Sequence, residues 1–234
     1  MKMFSLATGL LAAFSMVYTA KKIGTVYTMG EAALVSEKEY MVVVDPGHGG
    51  FDPGKVGADG IVEKEINMAI AKKVEKYLQA LDVEVIMTRE DDNGLYDADA
   101  GNKKTQDMQR RVQIMEEASP DLIVSIHQNS YPEEYVHGGQ VFYHKNSPAG
   151  QLAAGLIQEQ LIEIADPDNN RKIKADESYY LLKKTRNPIV IVECGFLTNY
   201  REAEMLKTTE YQEKVAWAIH LGILRYLNSS PLQE

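Results

Sequence analysis

The sequence predicts a single α/β domain built on a mostly parallel, twisted sheet with helices on both faces. Three observations carry that expectation. Short apolar runs alternate along the chain with segments of helical periodicity, the pattern of strands joined by helical crossovers. Runs such as Val42-Val43-Val44 and Ile189-Val190-Ile191-Val192 are continuously apolar, so both faces of the sheet are covered. Three runs lead directly into His48, His127 and Glu193, which puts chemistry at the carboxyl ends of strands, where open α/β sheets carry their sites.

The first strand, residues 41–45, runs into Asp45-Pro46-Gly47-His48-Gly49-Gly50. Pro46 fixes one backbone angle and the glycines permit crowded or left-handed conformations, so this turn delivers one imidazole rigidly. Ile66, Ala69, Ile70, Val74, Tyr77, Leu78 and Leu81 keep helical spacing. Residues 83–87 read as a β-branched strand, and the polar stretch 91–104 as a loop. A helix over 105–118 is broken by Ser119-Pro120, and Leu122 to Ile126 is the next apolar strand. A short strand at 140–143, a helix at 148–164 and a loop at 166–170 follow. Residues 179–182 read as a short strand and 189–192 as a further one, before helices at 200–207 and 210–227. No internal repeat interrupts this order, so one domain is expected over 41–230, preceded by a linker at 23–40.

The length of 234 residues suits one substantial domain, and the 44% hydrophobic and 25% charged fractions are those of a globular protein. A net charge of −9 with no basic block argues against a nucleic-acid partner, and none is expected. Cys194 is the only cysteine, which excludes an intramolecular disulfide and a cysteine-based zinc cluster. Residues 1–22 have the look of a signal peptide or signal anchor: Lys2, an apolar run over 3–20, then Lys21-Lys22. Tyr18 sits where cleavage after Ala20 would want a small residue, which favours an anchor, and export is expected.

His48, His127 and Glu193 stand at three strand ends, and Glu63 and Glu65 open the first helix, where the helix dipole holds a carboxylate ionised. Two imidazoles and one carboxylate make a three-ligand zinc site with an open fourth position, the catalytic arrangement. Amide hydrolysis on such a site also needs a carboxylate off the metal to move protons, and Glu193 is free for that role.

Four blocks of this chain resemble those of zinc-dependent N-acetylmuramoyl-L-alanine amidases. They are Asp45-Pro46-Gly47-His48-Gly49-Gly50, Glu63-Lys64 with Asn67, Ser125-Ile126-His127-Gln128-Asn129, and Val192-Glu193-Cys194-Gly195-Phe196-Leu197-Thr198-Asn199. They stand in the family's order, and the resemblance spans roughly residues 41–227. It implies one zinc ion held by His48, Glu63 and His127, with Glu193 as the catalytic glutamate. It implies hydrolysis of the amide between N-acetylmuramic acid and the L-alanine of the peptidoglycan stem peptide. Gln128 departs from the family's usual alanine, and its amide is within reach of the site. The lack of wall-binding repeats is most similar to the spore-cortex type, whose action allows muramic-δ-lactam to form for germination. That likeness places the protein at the outer face of the membrane or in the spore envelope and suggests an envelope lipoprotein as partner.

Among the remaining residues, Glu65 is the rival to Glu63, but two residues apart on a helix they point roughly 200° apart. Arg111 reads equally as an ion pair with Asp107 and as a contact to a substrate carboxylate. Asn129, Gln128 and Asn199 are further candidates for substrate binding. His137 and His144 read as surface histidines and His220 as a core one. Cys194 reads as a buried small hydrophobe, since adjacent strand residues face opposite ways. Glycine spacing in the first block lacks the phosphate-cradle and dinucleotide patterns, so nucleotide binding is disfavoured. The competing functions are a zinc carboxypeptidase acting on stem peptides and a wall- or partner-binding module of low activity. A general base has no place in the latter.

Overall fold

The computed structural model describes residues 39–57 and 60–229. The expected signal or anchor segment and nearly all of the linker lie outside those residues. Among the described residues, no helix is long and apolar enough to cross a membrane.

Six strands form one sheet: β1 (Met41–Pro46), β2 (Glu84–Met87), β3 (Leu122–Asn129), β4 (Gln140–Tyr143), β5 (Lys174–Ala175) and β6 (Ile189–Phe196). Their order is β2-β1-β3-β6-β4-β5. Every pairing is parallel except that of β4 with β6. The helices are α1 (Glu63–Gln79), α2 (Lys103–Ala118), α3 (Pro148–Gln160), α4 (Tyr180–Lys184), α5 (Tyr200–Leu206) and α6 (Thr209–Ser229). The fold is therefore the mostly parallel α/β sheet that the sequence predicts.

Strand side chains alternate between the two faces of a sheet. Val42, Val44, Val124, Ile126, Val190 and Val192 accordingly pack with Ile70, Val74 and Leu78 of α1, Ile157 of α3, and Val215, Ile219 and Ile223 of α6. Val43, Ile123, Ile189 and Ile191 pack the other way, with Met115 of α2 and Leu181 and Leu182 of α4. Each fully buried aliphatic side chain contributes roughly 1.5–3 kcal/mol. Continuity of both clusters explains why the first halves of β1, β3 and β6 are apolar on both faces.

Two local expectations change, and one strand is new. Residues 179–182 are not a strand: Tyr180–Lys184 is a single helical turn. Consecutive Leu181 and Leu182 are both buried in one cluster, which a helical turn permits and an alternating strand does not. The helix expected over 148–164 is α-helical only to Gln160 and then widens to a π-turn at Leu161–Ala165. β5, two exposed residues long, has no apolar run and so left no signal in the sequence.

Period-2 alternation also decides which polar groups meet. Val43 and Asp45, Ile123, Ser125 and His127, and Ile189, Ile191 and Glu193 share the face covered by α2 and α4. There Arg111 of α2, only 1% exposed, pairs with Asp45 at 2.5 Å and with Asp107 at 2.7 Å. Asp45 also accepts hydrogen bonds from the hydroxyls of Thr88 and Ser125, each at 2.6 Å. Burial pushes the Asp45 carboxyl up, but Arg111 and the two hydroxyls outweigh it and hold it down at about 2. An unfolded aspartate titrates near 3.8, so this contribution to stability is full above that pH and is lost as pH falls toward 2. Asp45→Asn, which leaves the buried guanidinium with Asp107 as its one remaining carboxylate, should cost roughly 3–5 kcal/mol at neutral pH. In urea-unfolding series the gap from wild type should narrow as pH falls below 3.8. Equal stability of the two proteins at neutral pH would show that the pair does not hold the strand end.

Candidate active site

His48, Gly49 and Gly50 follow β1 with φ of 62°, 135° and 59°. A left-handed residue that is not glycine costs on the order of 1–2 kcal/mol, and the surroundings of His48 oppose that cost. The Arg111 guanidinium donates to the carbonyls of Pro46 and His48. The Arg89 guanidinium donates to those of Pro46, at 3.0 Å, and Gly47, at 3.1 Å. Gly47 is required for a different reason. A Cβ there would lie 2.3 Å from His127 Nε2, so only glycine lets that ring lie over the turn.

His127 and Glu193 are opposed residues in the β3–β6 ladder, with a register shift just beyond them between His127 and Asn129. Glu63 is the first residue of α1 and only 3% exposed. Its Oε2 accepts from the Lys55 N–H at 2.7 Å, and its Oε1 from the Gln128 N–H at 3.0 Å and Asn67 Nδ2 at 3.3 Å. Glu63 Oε1 also lies 3.2 Å from His48 Nε2 and 3.1 Å from His127 Nδ1. The two imidazoles meet edge to face, with 4.9 Å between ring centroids. Burial opposes ionisation of Glu63, yet the two histidines bring its carboxyl far below the usual carboxylate range.

The far nitrogen of His48, Nδ1, lies 3.0 Å from Asp52 Oδ2. Asp52 also pairs with Lys104 and accepts from the Gly54 N–H at 3.1 Å. Burial lowers the His48 imidazole, but its bonds to Asp52 and Glu63 and their charges raise it to about 9. Asp52 thus fixes the ring so that Nε2 faces Glu63. The sequence reading missed it, although its place four residues after His48, inside the same glycine-rich turn, is a usable signal.

Glu193 is 5% exposed, and burial pushes its carboxyl above the usual range, with Glu63 adding to the effect and His127 opposing it. The Tyr179 hydroxyl donates to its Oε1 at 2.9 Å, while Oε2 is buried with no hydrogen-bond partner among the described residues. A cavity of about 350 Å³ brings together His48, Glu63, His127, Glu193 and Tyr179. A larger one of about 600 Å³ is lined by the nearby Lys55, Ser130, Tyr131, Leu197 and Tyr200.

The remaining candidates divide. The guanidinium of Arg111 is committed to Asp45, Asp107 and two carbonyls, although the residue also lines the smaller cavity. Gln128 is buried, and its amide donates to Asn67, which in turn holds Glu63. Asn129 Oδ1 accepts from the Ser130 N–H. Asn199 caps α5 by accepting from the Glu202 N–H and donates to the Glu134 carbonyl. Glu65 is exposed on the first turn of α1, apart from the cluster. His137 is exposed, 3.9 Å from Asp166, and His144 accepts from the Asn146 N–H. His220 is a core residue packed on Tyr77 and Trp217. Cys194 is buried on the face opposite Glu193, and burial drives its thiol upward, so it is no nucleophile.

Two imidazoles, an ionised carboxylate and a second carboxylate of raised pKa stand together at the strand ends of an α/β sheet, the kind of set with which hydrolases are equipped. The chain matches the family model described as N-acetylmuramoyl-L-alanine amidase over residues 42–225, and it belongs to that family. It is 37% identical, over 80% of its length and 79% of the relative's, to the germination-specific N-acetylmuramoyl-L-alanine amidase of Bacillus subtilis (strain 168). Among solved structures, the CwlD amidase from Clostridioides difficile, in complex with the GerS lipoprotein, superposes with a TM-score of 0.79 at 37% identity. That match covers 81% of this chain and 99% of the other. An N-acetylmuramoyl-L-alanine amidase from Clostridium difficile 630 matches with a TM-score of 0.73 at 29% identity, covering 82% and 99%.

With no metal bound, His48 should titrate near 9 in an NMR pH series, and Asp52→Asn should move it down. The stability that His48 contributes is then complete below pH 6.5 and lost as pH rises through about 9. Titration at or below 6.5 would contradict the geometry.

Proposed function

We propose that this chain is an exported zinc amidase of the spore cortex. It cleaves the amide between N-acetylmuramic acid and the L-alanine of the stem peptide, and so permits muramic-δ-lactam to form. One observation carries the reading: donor atoms of His48, Glu63 and His127 lie within 4.8 Å of one another, beside a buried Glu193 with one oxygen unpaired among the described residues. The donor set fits zinc, since two imidazoles and a carboxylate leave a fourth position open. Asp52 behind His48, and the Lys55 and Gln128 N–H groups on Glu63, orient these donors. Bound there, the ion would polarise the amide carbonyl and lower the pKa of a water.

Glu193 is off the metal set and takes the proton of the attacking water. It then gives that proton to the leaving nitrogen of L-alanine; its raised pKa strengthens it as the base for the first of these two transfers. The products are a free lactyl carboxylate on the sugar and a free amine on the peptide. Acidic overall charge supports recognition through a few local groups rather than through a field drawing the chain to an anionic wall. The solved relative bound to a lipoprotein supports a lipoprotein partner at the envelope for this chain as well.

Mass spectrometry of cortex digested by the purified protein tests the reaction, with added zinc and with a chelator. Muramyl fragments with a free lactyl group are expected with zinc only, and release of a terminal amino acid instead would sink the amidase reading. His48→Ala and His127→Ala should lose most bound zinc by elemental analysis while keeping their fold. Glu193→Gln should keep zinc and melting temperature and lose activity by on the order of a hundredfold or more. Complete digestion of cortex by the chain alone would remove the need for an activating partner.

A further inference from the structure

We infer that Tyr179 is a positioning residue for Glu193, fixing which carboxylate oxygen is presented to the reacting amide. The inference rests on the reading of Glu193 as the general acid–base. The terminal torsion of a glutamate is broad and roughly two-fold, so an untethered carboxylate exchanges its two oxygens freely. Here the exchange is blocked by a single bond, from the Tyr179 hydroxyl to Oε1 at 2.9 Å. Oε2 is buried without a partner among the described residues, which leaves it as the oxygen for the proton transfers.

The placement of Tyr179 is built rather than incidental. The preceding Glu177 and Ser178 are exposed, whereas the half-buried Tyr179 side chain turns inward and lines the catalytic cavity. The Asp176 N–H donates to the Tyr143 carbonyl at 2.9 Å, and Asp176 Oδ1 accepts from the Ser178 N–H at 2.6 Å, which ties the loop to the end of β4. The Tyr179 ring tilts against Phe142 with 5.4 Å between centroids. Leu181 and Leu182 of α4 then anchor the following turn in the core. Backbone, ring and hydroxyl are thus each fixed by a different contact, and the last of these contacts is Glu193.

Tyr179→Phe keeps the ring and removes only the hydroxyl. In the zinc-loaded enzyme it should lower kcat about 10- to 100-fold, the range that a hydrogen bond to a charged group is worth, with KM unchanged. Zinc stoichiometry and melting temperature should match wild type, and a crystal structure should show the Glu193 carboxylate in more than one orientation. Combined with Glu193→Gln, the same change should cost nothing further, because its effect passes through that carboxylate. Wild-type kcat in Tyr179→Phe would overturn the inference, as would an equal loss in both backgrounds, which would mean that the hydroxyl acts on the substrate directly. A loss that tracks reduced melting temperature or zinc content would overturn it too, in favour of a merely structural role. Full activity in Glu193→Gln alone would instead overturn the reading of Glu193 beneath it.

Discussion

The carbonyls of Pro46, Gly47 and His48 point inward at the end of a buried strand, where water cannot satisfy them, and two guanidiniums do so instead. Arg111 serves the first and third and Arg89 the first and second, while Asn67 reaches the second from α1. Such groups left unpaired would each cost roughly 1–3 kcal/mol. Two buried cations side by side repel, and burial together with Arg111 pulls the Arg89 guanidinium down. Asp45 and Asp107 compensate for the pair, and Arg89 also donates to the carbonyls of Lys64 and Asp91. The direction of His48 follows from this clasp, and so does the seat of Glu63, whose helix is tied by Asn67 and Lys64 to the same turn. The chemistry of the site is therefore built on groups that do none of it.

Much of this was legible in the chain because it is local or periodic. The apolar runs gave β1, β3 and β6, and helical spacing gave α1 and α6. Four ordered blocks singled out His48, Glu63, His127 and Glu193 together, and the fold gathers those four into one cavity. What escaped is non-local. Arg89 reads as the close of a strand, and nothing in its neighbourhood shows that its guanidinium reaches back 43 residues to Pro46. Tyr179 lies in a polar loop, and its relation to Glu193 exists only once β6 and α4 are packed. The short turn at Tyr180–Lys184 was misread for a similar reason, since two adjacent leucines look like a strand until both are seen to face one cluster. Asp52 was the one omission with a local cue.

Alternation along the strands keeps the chemistry on one side of the sheet. His127 and Glu193 face α2 and α4, while Cys194, one residue on, faces the cluster packed by α1, α3 and α6. The thiol next to the catalytic candidate in sequence is thus separated from it by the thickness of the sheet. A shift of one residue in strand register would exchange the two faces, and the cost of turning Ser125 and Glu193 into the apolar cluster under α1, α3 and α6 opposes it. Both hydrophobic clusters therefore set the chemistry as much as they set stability.

The pairing of His127 with Glu193 lies in the backbone ladder itself. Their separation is a property of two hydrogen-bonded strands and not of the 59-residue stretch that joins Asn129 to Ile189. That stretch can lengthen, shorten or be recast without moving either group, so long as β4 still closes the edge of β6. Evolution is thereby free to treat it as a cassette, exchanging contacts to glycan, peptide or partner while the reacting centre stays where the sheet puts it. Tyr179 is the exception, because it lies inside the exchangeable stretch and yet touches Glu193. Any redesign of the cassette must either preserve that one residue or find another donor for the same oxygen.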